Sequence, residues 1–420
     1  MKSADGHIYY LINYGVYHGL DHSPDYNQAA FWIQKAILKD AGYPKIVTVD
    51  QYFDLIETYY KKNPVINGQP AIPFLILSHD WRAFELWNPP NFLAGYPNDG
   101  NGIVDIETYK YKTFYTMDIS KRWFKKLNEM NAKGLINMTS FTDNYDRYTA
   151  KISSGRVLGQ SVQGWQFMYG ADNANRDRGE NIRTMAPLPV VFDSSIKPRY
   201  RNIPTPNLLR GMGISKSAKE PEKIISFIND LLDEDIQRAL NWGIEGRHWQ
   251  KDEKGVPYRT EQQRENWSNN EWQEKNRAKL MDDIFPKIQG SFSDGYPSDL
   301  SQYFPERESS LLPEDIELFK AYGITSYNEL MDKNPPPNAP WFPTRSMAPP
   351  PNGSHAQIAL QRCEQIMKQR LPQIILAPPG EFEKRWTDYV NEMNSNGIAA
   401  YEAYMQQELN KRLKNWGIKQ

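Results

Sequence analysis

The stretch Arg210–Trp249 reads RGMGISKSAKEPEKIISFINDLLDEDIQRALNWGIEGRHW. Its apolar run Met212–Ile214 predicts a strand. Pro221 then begins a helix, because the N–H that proline lacks would have no partner in the first turn. Apolar residues recur at helical spacing, which predicts one buried face: Ile224, Ile225, Phe227, Ile228, Leu231 and Leu232. The expected order is a strand, a polar loop, a proline-initiated helix, a second short helix and the turn Gly243–Gly246.

Length, charge and cysteine content exclude several classes of protein. The chain has 420 residues, more than one small core needs, so two lobes are expected. A formal net charge of −1 gives no reason to expect nucleic acid as a partner. Cys363 is the only cysteine, which excludes an internal disulfide and a cysteine zinc cluster, and no other cofactor is expected. Neither a signal peptide nor a long apolar run is visible.

The chain is rich in aromatic residues, with 25 Tyr, 12 Trp and 17 Phe. Most of these rings are expected in the core or scattered over the surface. Sugars present flat C–H faces that stack on aromatic rings, and Tyr and Trp add a polar group at the ring edge. The composition therefore favours a sugar-binding surface made by a minority of the rings.

Short strands alternate with helices along the chain, which predicts an α/β architecture. The expected helices are Ala29–Ala41, Val49–Tyr60, Ile119–Asn131, Tyr145–Ser153, His355–Gln369 and Glu381–Trp416, the last with a break near Gly397. The expected strands are Ile8–Ile12, Ile72–Leu77, Ile103–Asp105, Tyr109–Phe114, Val157–Val162 and Pro187–Phe192. Asp99–Gly102 predicts a hairpin turn.

Four segments in order carry a family resemblance, together with Arg210–Trp249. They are GHIYYLINYG at 6–15, AFWIQKAILKDAGYPKIVTVDQYFDLI at 30–56, SSGRVLGQSVQGWQF at 153–167 and the helix Phe382–Val390 with Trp386 and Tyr389. In this order and spacing the chain resembles the extracellular solute-binding proteins of carbohydrate ABC importers, of the lipoprotein type.

The resemblance implies an α/β, type-2 periplasmic-binding-protein-like fold of two lobes. Residues 13–206 plus 255–420 would form the C-terminal lobe. Residues 1–12 plus 207–254 would form the hinge and a remnant of the N-terminal lobe. In the family most of the first lobe precedes the strand at Ile8–Ile12, so the sequence is expected to be a fragment or a truncated gene product.

Two candidate ligand positions follow predicted strands. The resemblance implies contacts from strand ends that face a cleft between the lobes, as in open α/β sheets generally. Asp80, Trp81 and Arg82 follow the strand Ile72–Leu77 and combine an acid, a ring and a base suited to sugar hydroxyls. A solvated turn with a packed Trp explains them equally well. Gln163 and Trp165 follow the strand at 157–162, where many relatives have a stacking Trp; core packing is the alternative for Trp165.

Further candidates lie near the two expected hinge crossings. Tyr14, Tyr17 and His18 follow Ile12, and His18 is expected to form hydrogen bonds in the hinge rather than act as a base. Arg210, at the second crossing, would clamp the carboxylate of a uronic acid or pair with a protein acid.

By resemblance, Glu245 and Trp249 would face the cleft. Glu245 lies between glycines that allow close approach of the backbone to a neighbour. A turn that simply ends a helix explains the same residues.

No catalytic motif is recognisable, so a binding protein rather than an enzyme is expected. The resemblance implies capture of an oligosaccharide by hinge closure, docking on the permease subunits of an ABC importer, and a monomer held outside the membrane by lipid. A glycoside hydrolase and a protein-interaction scaffold remain the alternatives. Some relatives bind calcium in a loop matching Asn63–Gln69, but here Val65 replaces an oxygen ligand, so no calcium is expected.

Overall fold

The computed structural model describes residues 7–12, 15–18, 29–201, 211–277, 288–309, 311–331 and 339–418. The chain forms two compact units. Unit 1 comprises Met1–Pro24 and Pro204–Leu312, and unit 2 comprises Asp25–Ile203 and Pro313–Gln420. Each unit is made from two separate stretches of the chain, and residues 255–312 belong to unit 1.

The strands are β1 (Leu11–Ile12), β2 (Gly15–Tyr17), β3 (Ala29–Gln34), β4 (Val65–Ile66), β5 (Gln69–Pro70), β6 (Ile72–Leu75), β7 (Gly102–Asp105), β8 (Lys110–Thr113), β9 (Val157–Gln163), β10 (Met185–Leu188), β11 (Gly211–Met212), β12 (Gln250–Lys251), β13 (Pro257–Tyr258) and β14 (Ile288–Gly290). The α-helices are α1 (Lys35–Asp40), α2 (Val49–Lys62), α3 (Phe84–Trp87), α4 (Pro89–Leu93), α5 (Asp118–Ala132), α6 (Tyr145–Ser153), α7 (Asn173–Asp177), α8 (Pro221–Asp230), α9 (Glu234–Asn241), α10 (Glu261–Ser268), α11 (Asn270–Asn276), α12 (Phe304–Ser309), α13 (Pro313–Tyr322), α14 (His355–Ile375), α15 (Phe382–Ser395) and α16 (Ile398–Asn415).

The centre of unit 2 is a four-stranded sheet in the order β10-β3-β9-β6. β3 is antiparallel to both neighbours, whereas β6 runs parallel to β9. All residues of β3 are buried, so the predicted helix Ala29–Ala41 is wrong for its first half and only Lys35–Asp40 is helical. A continuous apolar run fits a buried strand as well as a buried helix, and the central place in the sheet decides between them.

Helix α2 confirms the predicted helix after Thr48. The Thr48 hydroxyl accepts from the Gln51 N–H, and the Gln51 side chain accepts from the Thr48 N–H, forming a capping box. On the buried face of α2, the Tyr52 ring lies 5.3 Å from the ring of Phe31 on β3. Trp123 of α5 contacts the same Phe31 ring at 5.7 Å. This aromatic core supports the sheet whose strand ends carry the candidate site.

The turn Asp99–Gly102 has a different role from the predicted one. β7 and β8 pair with each other and are connected by residues 106–109, which form the turn of the hairpin. Asp99 precedes the hairpin and does not form its turn. The Asp99 carboxylate is buried and accepts from the N–H groups of Thr344 at 2.7 Å and Arg345 at 3.2 Å. An Asp in a turn usually accepts a hydrogen bond from the backbone two residues further on, which is why the sequence indicated a turn here. Asp99 instead accepts from backbone N–H groups in a distant segment of the chain.

The core of unit 1 surrounds Trp242, which is fully buried. Its ring contacts that of Phe292 at 5.7 Å, and its Nε1 donates to the carbonyls of Pro297 and Ser298. β14 also pairs in parallel with β2. These long-range contacts explain why residues 255–312 belong to unit 1.

Helices α8 and α9 confirm the two helices predicted after Pro221, but their apolar face is only partly covered. Ile228 and Leu231 are buried in a small cluster of unit 1. In contrast, Ile225 is 49%, Phe227 60% and Leu232 42% exposed. Periodicity predicted an apolar stripe correctly, yet it does not determine how much of the stripe is covered. No helix in the described residues is long and apolar enough to cross a membrane.

Candidate functional site

Parallel pairing of β6 with β9 brings two of the predicted positions together within unit 2. Leu75 of β6 is in register with Gln160 of β9, so both strands end at the same edge of the sheet. The residues after β6 reach Trp81, and those after β9 reach Trp165. Because carboxyl ends of parallel strands meet at one edge, side chains far apart in sequence converge there.

Trp81 and Trp165 form what we call the indole platform. Their ring centroids are 5.8 Å apart and their planes are within 7° of parallel. Both rings are solvent-accessible, with Trp81 59% and Trp165 40% exposed. The Trp165 Nε1 donates to the Gln163 side-chain oxygen at 2.6 Å, which fixes the orientation of the indole. Trp165 therefore lies at the surface and is not packed in the core.

The predicted acid and base beside Trp81 are present but engage each other. A carboxylate oxygen of Asp80 and a guanidinium nitrogen of Arg82 are 2.5 Å apart. The Arg82 guanidinium also lies 4.6 Å from the centre of the Trp81 ring and 3.9 Å from that of Tyr145. Asp80 adopts φ of 49°, so the backbone turns sharply just before the platform. Arg82 thus contacts the rings of Trp81 and Tyr145 and pairs with Asp80 at the same time.

Glu85, which the sequence did not single out, is buried between the two segments that carry the platform. It is 3% exposed, and one of its carboxyl oxygens accepts from the Gln163 N–H at 3.2 Å and from Gln166 Nε2 at 3.3 Å. Burial raises the pKa of Glu85 from 4.5 to about 8, against the lowering effect of these two hydrogen bonds. An acid inside the apolar run Phe84–Trp87 was the available signal, since a buried carboxyl requires partners.

The hinge candidates that the structure describes support unit 1 itself. The Tyr17 hydroxyl donates to the Leu232 carbonyl at 2.7 Å, and its ring contacts Phe292. Burial is the main cause that raises the pKa of Tyr17 to about 12. His18 Nε2 lies 3.7 Å from a Glu234 carboxylate oxygen, with its side chain about half exposed. Tyr14 and Arg210 lie outside the described residues.

The two remaining candidates differ from each other. The Glu245 carboxylate is about half exposed and pairs with Lys251 at 3.1 Å. Trp249 is 3% exposed, contacts Trp242 at 4.9 Å and donates from Nε1 to the Gly243 carbonyl. It belongs to the core of unit 1, so we exclude it from the candidate site. The glycine-rich turn before it lets the ring fold back onto Trp242.

A separate pocket of unit 2, with a volume of about 900 Å³, shares no residue with the platform. The hairpin β7–β8 and the Trp341–Phe342 segment line it. Trp341 stacks on Tyr109 with centroids 5.7 Å apart, which makes it a useful control residue. Among the described residues, no three His, Cys, Asp or Glu side chains come together as a metal-ligand group.

Comparison of the sequence with known proteins finds a distant relative. No family profile matches the chain. The lipoprotein LipO of Bacillus subtilis (strain 168) is 22% identical over 254 residues, which is 56% of this chain and 47% of that protein. The match thus spans about half the length of this curated relative.

Three solved structures cover nearly all of this chain. An HMO binding ABC-transporter associated solute binding protein from Bifidobacterium longum infantis superposes with a TM-score of 0.62 at 16% identity, over 97% of this chain and 78% of that one. An EF-hand mutant of the Streptococcus pneumoniae substrate binding protein FusA, in complex with fructo-nystose, superposes with a TM-score of 0.58 at 19% identity, over 99% of this chain and 78% of that one. S. pneumoniae NgtS, an N-glycan transport solute binding protein, superposes with a TM-score of 0.54 at 16% identity, over 99% of this chain and 77% of that one. The chain has the fold of ABC-transporter solute-binding proteins.

In this solute-binding fold the platform lies where open α/β sheets bind ligands, beyond the carboxyl ends of strands. The predicted α/β fold class is confirmed. Likeness at this level of identity establishes the fold alone. A ligand-binding role for the indole platform and its neighbours Asp80, Arg82 and Gln163 is therefore a proposal.

Proposed function

We propose that this protein binds an oligosaccharide for uptake by an ABC importer and does not transform it. The observation that carries the proposal is the indole platform, two exposed and nearly parallel rings 5.8 Å apart at adjacent strand ends. Sugar rings stack their C–H faces on such indoles, and nearby amide and charged groups bond the hydroxyls. Gln163, Asp80 and Arg82 would supply these polar contacts.

The fold and the functions named for the similar proteins support the wider context. Solute-binding proteins deliver their ligand to a permease, so the permease subunits of an ABC importer are the proposed partner. The likeness to a lipoprotein supports a location outside the cytoplasmic membrane with a lipid anchor. We expect a monomer in solution, as one ligand site needs no second copy of the chain.

A glycoside hydrolase is the competing function, and the charges near the platform disfavour it. Hydrolysis needs two carboxyl groups on either side of one glycosidic bond, about 5 to 9 Å apart. Asp80 is paired with Arg82, and Glu85 is buried. Neither carboxyl is placed as a free acid or nucleophile beside the exposed indole faces.

Calorimetric titration of the chain with a panel of neutral and uronic oligosaccharides tests the proposal. We expect micromolar binding of one sugar class, of the order of 8 kcal/mol in binding free energy. Trp165→Ala should abolish the heat of binding without lowering the unfolding temperature, because the ring is exposed and stacks only at the surface. Trp341→Ala is the matched control, since it removes a stacked Trp from the separate pocket of unit 2.

The outcomes separate the candidate functions. Loss of binding in Trp165→Ala with binding retained in Trp341→Ala supports the platform. The reverse pattern would move the site to the pocket beside β7–β8. No binding of any sugar by the folded chain would contradict the proposal, and release of shorter sugars during the titration would indicate a hydrolase.

A further inference from the structure

One buried carboxyl joins the two segments that carry the indole platform. Trp81 lies in the segment 79–87, and Trp165 lies in the segment 163–167. Within the described part of the chain, the hydrogen bonds between these segments are both accepted by Glu85, from the Gln163 N–H and from Gln166 Nε2. Glu85 is thus the polar link between the ends of β6 and β9.

This link continues to the exposed ring. Glu85 fixes the Gln163 N–H at 3.2 Å, and the Gln163 side chain in turn accepts from Trp165 Nε1 at 2.6 Å. A second contact follows a different route: the Tyr145 hydroxyl donates to the Gln166 carbonyl at 2.6 Å, and Arg82 lies over the Tyr145 ring. The buried end of this network, between Glu85 and Gln166, defines one geometry, because an unpaired buried donor is costly.

We propose that Glu85 is a positioning residue that sets the angle and spacing of Trp165 against Trp81, and thereby the affinity of the platform for its ligand. The inference rests on the proposed function, since it concerns the same site. Glu85 is only 3% exposed, so it acts through Gln163 and Gln166 and not by touching the sugar.

The protonation state of Glu85 provides a matched pair of variants. Burial raises the pKa of Glu85 to about 8, so the carboxyl is mostly neutral at neutral pH. Glu85→Gln keeps the shape, the neutral state and an acceptor oxygen for both donors. Glu85→Met fills a similar volume but accepts no strong hydrogen bond. A role in packing alone would tolerate Met, whereas a positioning role requires the acceptor.

Circular dichroism measures the platform without any ligand. Two indoles with ring centroids 5.8 Å apart couple excitonically in the far ultraviolet, with a strength set by the angle between their transition dipoles, and the difference between the parent chain and Trp165→Phe isolates this signal. We expect Glu85→Gln to retain the signal and Glu85→Met to lose most of it, with the buried Cys363 thiol still protected from labelling as evidence of folding. Retention in Glu85→Met, or equal loss in both variants, would overturn the proposal.

Affinity for the sugar found by titration gives the second measurement. Loss of the buried acceptor should weaken binding about ten- to hundred-fold in Glu85→Met and less than about threefold in Glu85→Gln. If a sugar binds and all variants bind alike, the role of Glu85 fails while the proposed function stands. If no sugar binds, the proposed function fails and dichroism still decides on Glu85. Should Glu85→Met not fold, Gln163→Met removes the side-chain acceptor of Trp165 Nε1 through which Glu85 acts, and an unchanged dichroism signal there would overturn the proposal.

Discussion

Lys35 Nζ lies 2.5 Å from a carboxylate oxygen of Asp315, and both side chains are almost completely buried. The pair connects the two stretches of chain that form unit 2. The Tyr327 hydroxyl donates to the same carboxylate at 2.5 Å, so the charge of Asp315 is shared by two donors. Removing either partner of such a pair leaves the other charge buried and uncompensated, which destabilises the folded state.

Substitution of Lys35 by Met should destabilise unit 2 by about 3 to 5 kcal/mol, because Asp315 would remain buried without its cation. The free energy of unfolding measured in urea tests this. Lys39→Met is the control, since Lys39 pairs with Glu317 on the surface at 2.6 Å and solvent screens such an exposed pair, which contributes little to stability. Equal losses in the two variants would contradict the buried-pair argument.

The stability of unit 2 should fall as the pH rises from about 4.5 to about 8. Burial raises the pKa of Glu85 to about 8 and that of Asp99 and Asp172 to about 7. In this range the folded state therefore binds more protons than the unfolded state. The stability that these groups contribute is fully present at a pH below their ordinary pKa values, and it is lost as the pH rises through the raised pKa values of the folded state. Urea unfolding at a series of pH values measures the slope.

Asp172→Asn isolates one contribution to that slope. One carboxylate oxygen of Asp172 accepts from the Met185 N–H at 3.4 Å, which the amide oxygen of Asn can also do. The variant should show a shallower decline of stability with pH and its greatest advantage over the parent chain at the alkaline end. An unchanged slope would mean that Asp172 ionises normally in the folded state.

Trp249→Ala should destabilise unit 1 by about 3 to 5 kcal/mol, as expected for deletion of a large buried ring. The ring packs against Trp242 and is 3% exposed, so the change leaves a cavity in the core. Thermal unfolding compared with Trp165→Ala provides the contrast, because the exposed Trp165 should cost little. A stable Trp249→Ala chain that had lost sugar binding would restore Trp249 to the site.

The sequence predicted the strand ends that carry the platform better than the contacts between them. Trp81 and Trp165 follow predicted strands, so local patterns were enough to select them. β9 lies between β3 and β6 in the sheet, and the apolar run of β3 resembled a helix, so the order of the strands did not follow from local patterns. Glu85 escaped prediction because its partner Gln163 is 78 residues away, and no local pattern marks such a contact.

Burial was the other property that local patterns did not provide. Trp249 follows a glycine-rich turn, which suits a cleft or a core equally, and Trp242 with Phe292 decides for the core. Conversely, the helical spacing of Ile225 and Phe227 predicted a buried face, yet both are exposed. A period identifies which residues share a face, whereas the neighbours that cover it come from distant parts of the chain.

Gly243→Ala should destabilise unit 1 more than Gly246→Ala. Both glycines have positive φ, 86° and 80°, so each substitution carries a backbone cost of more than about 1 kcal/mol. At Gly243 the added Cβ would also lie 2.3 Å from Nδ1 of the buried His248, which accepts from the Ile244 N–H. At Gly246 no heavy atom beyond the two neighbouring residues of the chain lies within 4 Å of the new Cβ. The difference between the two unfolding free energies therefore measures the steric conflict alone, and equal values would show that His248 moves aside without loss of its hydrogen bond.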